Sequence, residues 1–402
     1  SSLTGLYIHD STIWTFEYSQ LTNSVILFFT DFFPDIFLLK LMGSGIFVAA
    51  IFSLLLGQAY VLYRILNNSE KTKSQMKAET QKILVVGGAG YIGSHVVKTL
   101  RDAGKSPVVF DNMSSGLQEN LLPGIPFIKG DTQFPEQLAS AMKGVDSIIH
   151  MAALKAAGES MTEPEKYAEN NISGTINLLN AATAAKVKYF VFSSSAAVYG
   201  EPLYLPIDES HPTAPMNFYG HTKLAIENLL RWFSQLKGLR FSSLRYFNAA
   251  GYDVDGELNG LEHEPNNLLP IVLETIVGRR KKVEVFGTDY DTRDGSCIRD
   301  YIHVSDLADA HLKALDYLKH ENQDLVINLG TSNGLSVLEI MQIAREVSGQ
   351  EFNYTIGPRR AGDPAVVLAK AELAAELLGW RPKHSDAHTL LETTLRAYQQ
   401  SL

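Results

Sequence analysis

The strongest fold signal in this 402-residue chain is Lys82–Leu100, KILVVGGAGYIGSHVVKTL. It opens with a run of apolar residues, Ile83–Val86, which is typical of a buried β-strand. Gly87, Gly90 and Gly93 follow with GxxGxxG spacing, and a helical pattern comes after them. A glycine turn between a strand and a helix lets backbone N–H groups and the helix N-terminus approach an anion such as a pyrophosphate.

The alternation of strand and helix continues beyond this segment. Apolar runs predict five further strands, at Pro107–Phe110, Pro126–Lys129, Ser147–His150, Tyr189–Phe192 and Phe241–Leu244. Strands that alternate with helices form parallel sheets, so we expect an α/β fold with a Rossmann-type doubly wound sheet. The sheet domain is expected at residues 81–250, interleaved with a smaller C-terminal lobe at 251–402.

A carboxylate follows the second of these strands. Asp111 lies at the distance from the glycines, about 20 residues, that is typical of dinucleotide-binding folds. A carboxylate there accepts hydrogen bonds from the adenosine ribose hydroxyls and repels a 2′-phosphate. The glycine spacing alone would also suit a purely structural turn. Together, the two features predict NAD rather than NADP as the cofactor.

A serine, a tyrosine and a lysine form the candidate catalytic group. Ser195 follows the predicted strand at Tyr189–Phe192, and Tyr219 and Lys223 open a predicted helix. A spacing of four residues places the tyrosine and the lysine on one face of the helix. A lysine ammonium beside a positively charged nicotinamide can lower the phenol pKa until the tyrosine acts as a base near neutral pH.

Composition excludes several other classes of protein. The chain is 45% hydrophobic and 20% charged, which is typical of a folded protein. Its net charge of -9 argues against a general nucleic-acid binder. The single cysteine, Cys297, excludes internal disulfides and cysteine-ligated zinc. We also find no histidine pattern that predicts a metal site.

The N-terminal part of the chain differs from the rest. Leu41–Tyr63 contains no charged residue and is long enough to span a bilayer as a helix. We therefore expect a transmembrane helix at 41–63, after an aromatic-rich segment at 1–40 and before a linker at 64–80. A buried core helix is the alternative. Basic residues are concentrated after the span, so the positive-inside rule predicts a cytoplasmic catalytic part. Residues 1–75 could be native, processed or fused.

From about Lys82 to the C-terminus, the chain resembles the extended short-chain dehydrogenase/reductases, and among them the UDP-glucose (UDP-galactose) 4-epimerases. The matching segments are VVGGAGYIGSH, VFDNMSSG, KGD, HMAALKAAGES, ENNISGTINLL, FSSSAAVYG, FYGHTK, LRYFNAAG, NNLLP, VFGTDYDTRDGSCIRDYIHVSDLADAH and RRAGDPA. The resemblance implies NAD-dependent epimerisation at C4 of a UDP-hexose through a transient 4-keto intermediate, and a homodimer.

The resemblance also implies a role for each site residue. Tyr219 would take the proton of the sugar 4-hydroxyl while the C4 hydride passes to bound NAD. Lys223 would hold the cofactor ribose and lower the pKa of Tyr219, and Ser195 would hydrogen-bond the sugar O4. The cofactor-binding positions implied are Gly87, Gly90, Tyr91, Ile92, Gly93, Asp111, Asn112, Asp131, Met151, Ala152, Ala153, Lys155, Asn170, Tyr219, Lys223 and Tyr246. The substrate-binding positions implied are Ser195, Asn248, Asn267, Leu268, Phe286, Arg299, Arg360, Asp363 and Val367.

The identity of the sugar is less well determined. Val367 stands where some relatives carry a bulky tyrosine that excludes N-acetylated sugars, so we expect UDP-GlcNAc and UDP-GalNAc to be accepted too. A 4-epimerase of a UDP-pentose or a UDP-uronate would use the same residues and is an alternative. A catalytically silent, membrane-associated NAD-binding subunit is another. A dehydratase would need an acid and a base beside the serine, where Ala196 and Ala197 lie.

Overall fold

The computed structural model describes residues 57–64, 67, 81–262, 265–360 and 363–401. The chain divides into two units, of which the first ends at Met76 and the second begins at Lys77. The two units are described separately, and the candidate catalytic residues all belong to the second.

The predictions for the N-terminal part fall largely outside the described residues. The segment at 1–40 lies wholly outside them, and so do most of the predicted transmembrane helix at 41–63 and most of the linker at 64–80. Residues 57–64 are helical and exposed. Within the part of the chain that the structure describes, no helix has both the length and the apolar character needed to cross a membrane.

Strands and helices alternate through the second unit. The strands are β1 Lys82–Val86, β2 Ser106–Asp111, β3 Phe127–Lys129, β4 Val145–His150, β5 Tyr189–Ser195, β6 Arg240–Tyr246, β7 Asn248–Ala250, β8 Val283–Phe286, β9 Ile298–Arg299, β10 Tyr301–His303, β11 Leu325–Leu329, β12 Leu335–Ser336, β13 Tyr354–Gly357 and β14 Val366–Val367. The α-helices are α1 Tyr91–Asp102, α2 Pro135–Ala141, α3 Pro164–Tyr167, α4 Gly174–Ala184, α5 Phe218–Lys237, α6 Leu268–Ile276, α7 Val304–Glu321, α8 Val337–Ser348, α9 Glu372–Leu378 and α10 Ala387–Gln400. A π-helix, Ala168–Ser173, joins α3 to α4.

Seven parallel strands form the central sheet in the order β3-β2-β1-β4-β5-β6-β11. This arrangement confirms the predicted Rossmann-type sheet. Each of the six strands predicted from the sequence is present, most of them with slightly wider bounds. The seventh, β11, is not predicted because Asn328 interrupts its apolar run.

Helices cover both faces of this sheet because its strands are apolar on both sides. In β1, Ile83 and Val85 pack against α1 and α7, whereas Leu84 and Val86 pack against α2, α4 and α5. Successive side chains of a strand point to opposite faces, so one unbroken apolar run contributes to two cores. Burying a side chain of this size stabilises the fold by about 1.5–3 kcal/mol.

Short sheets and three helices build the C-terminal part of the unit. β7 pairs with β10, β8 pairs with β13, and β9 lies between β12 and β14. Helices α6, α8 and α10 pack around a common apolar core. In contrast, α7 packs on α1 beside the central sheet.

The carboxyl ends of four neighbouring strands meet at one edge of the central sheet. Gly87 follows β1, Asp111 ends β2, Met151 follows β4 and Ser195 ends β5. This edge is where open parallel sheets bind their ligands. The fold therefore gathers the predicted cofactor residues and the predicted catalytic serine in one place.

Candidate active site

The glycine turn between β1 and α1 has the close packing that a dinucleotide site needs. Gly87 adopts φ +83°, and a Cβ on it would lie 2.6 Å from the backbone nitrogen of Ala152. A Cβ on Gly93 would overlap the carbonyl oxygen of Gly87. Gly90 precedes α1, whose N-terminus has no side-chain cap and no acidic residue in its first turn. An anion therefore meets the helix dipole without a competing carboxylate.

Asp111 lies directly beside this turn. One oxygen of its buried carboxylate accepts a hydrogen bond from the Ala89 N–H at 3.0 Å, and the other accepts one from the Met113 N–H at 2.8 Å. Asn112 donates from its amide to the Asp131 carboxylate at 2.8 Å. Asp111, Asn112 and Asp131, three of the predicted cofactor-binding residues, thus lie where β2 and β3 end, and Asp111 is bonded directly to the glycine turn.

The segment after β4 lies on the other side of the turn. The N–H groups of Met151 and Ala152 both donate to the Val86 carbonyl oxygen, at 2.8 and 3.0 Å, and Ala153 continues this segment. Lys155 forms an ion pair with Glu262. The cofactor contact predicted for Lys155 therefore requires its ammonium group to leave this carboxylate or to share it.

Other predicted cofactor residues have protein partners. The Tyr91 hydroxyl donates to the Gly251 carbonyl oxygen, and Ile92 packs against the apolar core. The side chains of Tyr91 and Ile92 thus contact other parts of the protein. Their backbone, at the start of α1, lies next to the glycine turn. Asn170, in the π-helix, donates to Asn171 at 2.9 Å. π-Helical turns are frequently found at functional sites.

The structure brings the three predicted catalytic residues together. Tyr219 and Lys223, the candidate catalytic pair, lie in the first two turns of α5, and the Ser195 side chain lies near enough to the Tyr219 hydroxyl to influence its pKa. The Lys223 ammonium donates to the Ser193 carbonyl oxygen at 2.7 Å and lies 5.7 Å from the centre of the Tyr219 ring. Asn217 caps α5 by accepting the Gly220 N–H at 2.8 Å.

Burial shifts the pKa of both members of the catalytic pair. It lowers the pKa of Lys223 to about 7. It raises the pKa of Tyr219, and the nearby Ser195 side chain acts in the opposite direction. The lowering of the Tyr219 pKa that we expected includes the positive charge of a nicotinamide; among the protein groups, burial outweighs the effect of Ser195 and the shift is upward.

Tyr246, at the end of β6, completes the polar surroundings of the lysine. Its hydroxyl is hydrogen-bonded to the Ser193 side chain. Burial raises the pKa of Tyr246, and the nearby Tyr219 adds to this effect. Tyr246 is therefore neutral near neutral pH and can donate or accept a hydrogen bond beside the lysine.

Four of the predicted substrate residues form two contacts in the C-terminal part. Arg299 donates to the Asp363 carboxylate at 2.7 Å. The exposed guanidinium group of Arg360 lies 3.9 Å from the centre of the Phe286 ring. Two guanidinium groups and an aromatic ring are suited to a diphosphate and a planar base.

The remaining predicted substrate residues lie at different places. Val367 pairs in register with Arg299 and packs with Ala196 against the cluster that follows Ser195. It therefore connects the predicted substrate residue Arg299 with the cluster that follows the predicted catalytic serine. Asn248 begins β7, shortly after Tyr246. Asn267 and Leu268 form the start of α6, away from these contacts along the chain.

Sequence reasoning missed a buried ion pair behind the catalytic group. Glu227 and Arg245 are 0% and 3% exposed at their side chains and 2.6 Å apart. The signal was present in the sequence, because Glu227 follows Lys223 by four residues and so lies on the same buried face of α5. A carboxylate on such a face needs a buried partner.

Similarity to known proteins agrees with this geometry. The sequence model of the NAD dependent epimerase/dehydratase family matches residues 83–330. The UDP-glucose 4-epimerase of Lacticaseibacillus casei is 46% identical over 314 residues, which are 77% of this chain and 95% of that relative. The chain belongs to the NAD dependent epimerase/dehydratase family. Solved structures of the family extend the similarity to three dimensions.

The UDP-glucose 4-epimerase from Brucella ovis, solved in complex with NAD, has a TM-score of 0.77 and 43% identity and covers 78% of this chain and 97% of its own. The UDP-Glc/GlcNAc 4-epimerase from Campylobacter jejuni has a TM-score of 0.71 and 38% identity. It covers 80% of this chain and 99% of its own.

The residues of the site fit the cofactor of the family. The glycine turn leaves no room for side chains beside Ala152, which brings backbone close to a bound pyrophosphate. The carboxylate of Asp111 stands where an adenosine ribose is held in such folds. The catalytic pair lies at the same edge of the sheet, so a ring bound next to it is within reach of the tyrosine hydroxyl.

Proposed function

We propose that the chain is an NAD-dependent 4-epimerase of UDP-hexoses that interconverts UDP-glucose and UDP-galactose. The observation that carries this proposal is the placement of Ser195 near the Tyr219 hydroxyl and of the buried Lys223 on the same helix, at the sheet edge that also carries the glycine turn. Membership of the NAD dependent epimerase/dehydratase family and the named 4-epimerases among its relatives support it.

Tyr219 is the base in this proposal. It removes the proton of the sugar 4-hydroxyl and later returns it, and Ser195, whose side chain lies near the Tyr219 hydroxyl, shares that proton. NAD, held by the glycine turn and Asp111, would supply the acceptor and later the donor for the C4 hydride. Lys223, held by the Ser193 carbonyl, places its ammonium group beside the phenol and favours the phenolate.

The UDP part of the substrate keeps it bound to the enzyme while the sugar ring turns over. Arg299 and Arg360 present forked donors that match the oxygens of a diphosphate. Phe286 offers a flat surface beside Arg360. Because these contacts involve only the UDP, the 4-keto sugar can rotate and expose its other face to the same catalytic residues.

We also propose that the sugar site accepts UDP-GlcNAc and UDP-GalNAc. Val367 packs against the same small cluster as Ala196, the residue after Ser195, and a valine leaves more space there than a tyrosine. The named UDP-Glc/GlcNAc 4-epimerase among the similar structures supports this proposal. The absence of turnover of both N-acetylated sugars by an active enzyme would refute it.

Two further proposals concern assembly. We propose that Leu41–Tyr63 anchors the enzyme in a membrane with the catalytic part on the cytoplasmic side, which is supported by its uncharged composition and the basic residues after it. Retention of the full chain in a carbonate-washed membrane fraction tests this.

We propose a homodimer through α4 and α5, because α5 exposes Trp232 and Leu236. Light scattering of the Trp232→Glu variant tests it.

The chemistry is tested by running the reaction in deuterium oxide. Hydride transfer to and from the cofactor returns the same hydrogen to C4, so we expect UDP-glucose formed from UDP-galactose to carry no deuterium at that carbon. Incorporation of deuterium at C4 would mean that a carbon-bound proton exchanges with solvent, and this would refute the proposed mechanism.

A further inference from the structure

Three consecutive residues at the end of β5 each contact helix α5. Ser193 accepts a hydrogen bond from the Lys223 ammonium through its carbonyl oxygen, and the Ser195 side chain lies near the Tyr219 hydroxyl. Between them, the Ser194 hydroxyl donates to Glu227 at 2.6 Å. The strand end is therefore joined by hydrogen bonds to Lys223 and, one turn further along the helix, to the carboxylate of Glu227, and it carries Ser195 beside Tyr219.

The carboxylate of Glu227 is held from the neighbouring strand. Arg245 of β6 donates to both of its oxygens, at 2.9 and 2.6 Å. Arg245 is the register partner of Ser194 in the β5–β6 ladder, so the ion pair and the serine occupy one position of the sheet. The third guanidinium contact is to the Tyr199 hydroxyl at 3.0 Å, in the segment that follows Ser195.

We propose that Glu227 and Arg245 are positioning residues, which fix α5 against the end of β5 so that the Tyr219 hydroxyl meets Ser195. This inference rests on the proposed function, in which these two hydroxyls handle the substrate proton. A bidentate pair has one favoured geometry, and it leaves little freedom for the helix to slide or turn relative to the strand. An error of about 1 Å in such a site can reduce the rate by about 100-fold.

The ion pair is better explained by positioning than by stability. Replacing a buried ion pair by apolar residues of similar volume is often neutral or stabilising, because desolvation of two charges offsets their attraction. A purely structural role would therefore be served equally well by a leucine and a methionine. Those residues would fill the space without defining the orientation of α5.

The double variant Glu227→Leu/Arg245→Met of the full chain tests the proposal with UDP-galactose as substrate. We expect kcat to fall about 100-fold, with KM within about 2-fold of the parent and an unchanged or higher thermal midpoint. The matched control is Arg101→Met/Glu257→Leu, which removes a bidentate pair of the same kind at the surface of α1. We expect this control to keep the parental kcat. Parental kcat in the folded double variant would overturn the proposal.

Ser194→Ala keeps the proposal testable if the double variant does not fold. It removes only the hydrogen bond between β5 and Glu227, and we expect about a 10-fold loss in kcat at unchanged KM. A parental kcat in this variant would also overturn the proposal.

A crystal structure separates this proposal from the proposed function. In the folded variants we expect the Ser195 and Tyr219 hydroxyls to separate by about 1 Å relative to the parent. If the parent does not turn over UDP-galactose, the proposed function fails, and this separation alone decides the positioning role. An unchanged separation would refute it.

Discussion

Replacing Lys223 by methionine should stabilise the folded protein near neutral pH while it destroys the catalytic group. Burial lowers the pKa of Lys223 from 10.5 to about 7. Between about pH 7 and pH 10.5, Lys223 is protonated in the unfolded chain but neutral in the folded protein. The free energy of unfolding of the parent therefore rises with pH in this range. Below about pH 7 both states are protonated, and the parent carries the full cost of burying the ammonium group.

The size of the effect follows from the shift. At 1.36 kcal/mol per pKa unit, burial of Lys223 costs about 4 kcal/mol at pH 7 and about 2 kcal/mol at pH 9. Methionine removes this cost but leaves the Ser193 carbonyl without its donor, which costs about 1–3 kcal/mol. We therefore expect the variant to be about 2 kcal/mol more stable than the parent at pH 7, and this advantage to disappear near pH 9.

Urea unfolding at pH 7, 8 and 9 measures this difference. Both proteins are used without NAD, because bound cofactor would add its own stabilisation. Lys237→Met is the matched control, since Lys237 is an exposed lysine on the same helix, α5. The control should follow the parent at every pH. If Lys223→Met has the same pH dependence as the parent, the burial argument is wrong.

Three further predictions concern cofactor, catalysis and specificity. Tyr219→Phe should reduce kcat at least about 100-fold while NAD remains bound, as measured by turnover and by cofactor content; near-parental turnover would exclude Tyr219 as the base. Gly93→Ala should bind NAD more weakly and unfold at a lower temperature, because its Cβ would overlap the Gly87 carbonyl oxygen. Titration calorimetry with NAD and scanning calorimetry without it measure these two effects, and a parental Kd for NAD would contradict the prediction. Val367→Tyr should lower kcat/KM for UDP-GlcNAc at least about 10-fold relative to UDP-galactose, and an unchanged ratio would remove Val367 from the sugar site.

Local patterns were sufficient to predict six of the seven strands of the central sheet. The apolar run at Ile83–Val86 is buried on both faces, and the glycines after it adopt the turn that their spacing indicates. The catalytic pair is also a local feature, because a spacing of four residues fixes the relative placement of two side chains on a helix. β11 was missed because Asn328, whose amide is buried between Tyr199 and Ile207, looks like an interruption in the sequence.

Contacts between distant parts of the chain were beyond the reach of sequence reasoning. Nothing in the sequence pairs Lys155 with Glu262, or Glu227 with Arg245, since each pair is brought together by tertiary packing. The pKa of Tyr219 belongs to the same class. Its direction depends on how the fold buries the hydroxyl, and this burial cannot be obtained from spacing along one helix.

The central claim is C4 epimerisation of a UDP-hexose, and one incubation tests it most directly. The purified full chain is mixed with UDP-galactose, with and without added NAD, and the anomeric signals are followed by NMR. We predict conversion to UDP-glucose up to an equilibrium mixture, and no conversion by Tyr219→Phe. Unchanged UDP-galactose in the presence of NAD would contradict the account.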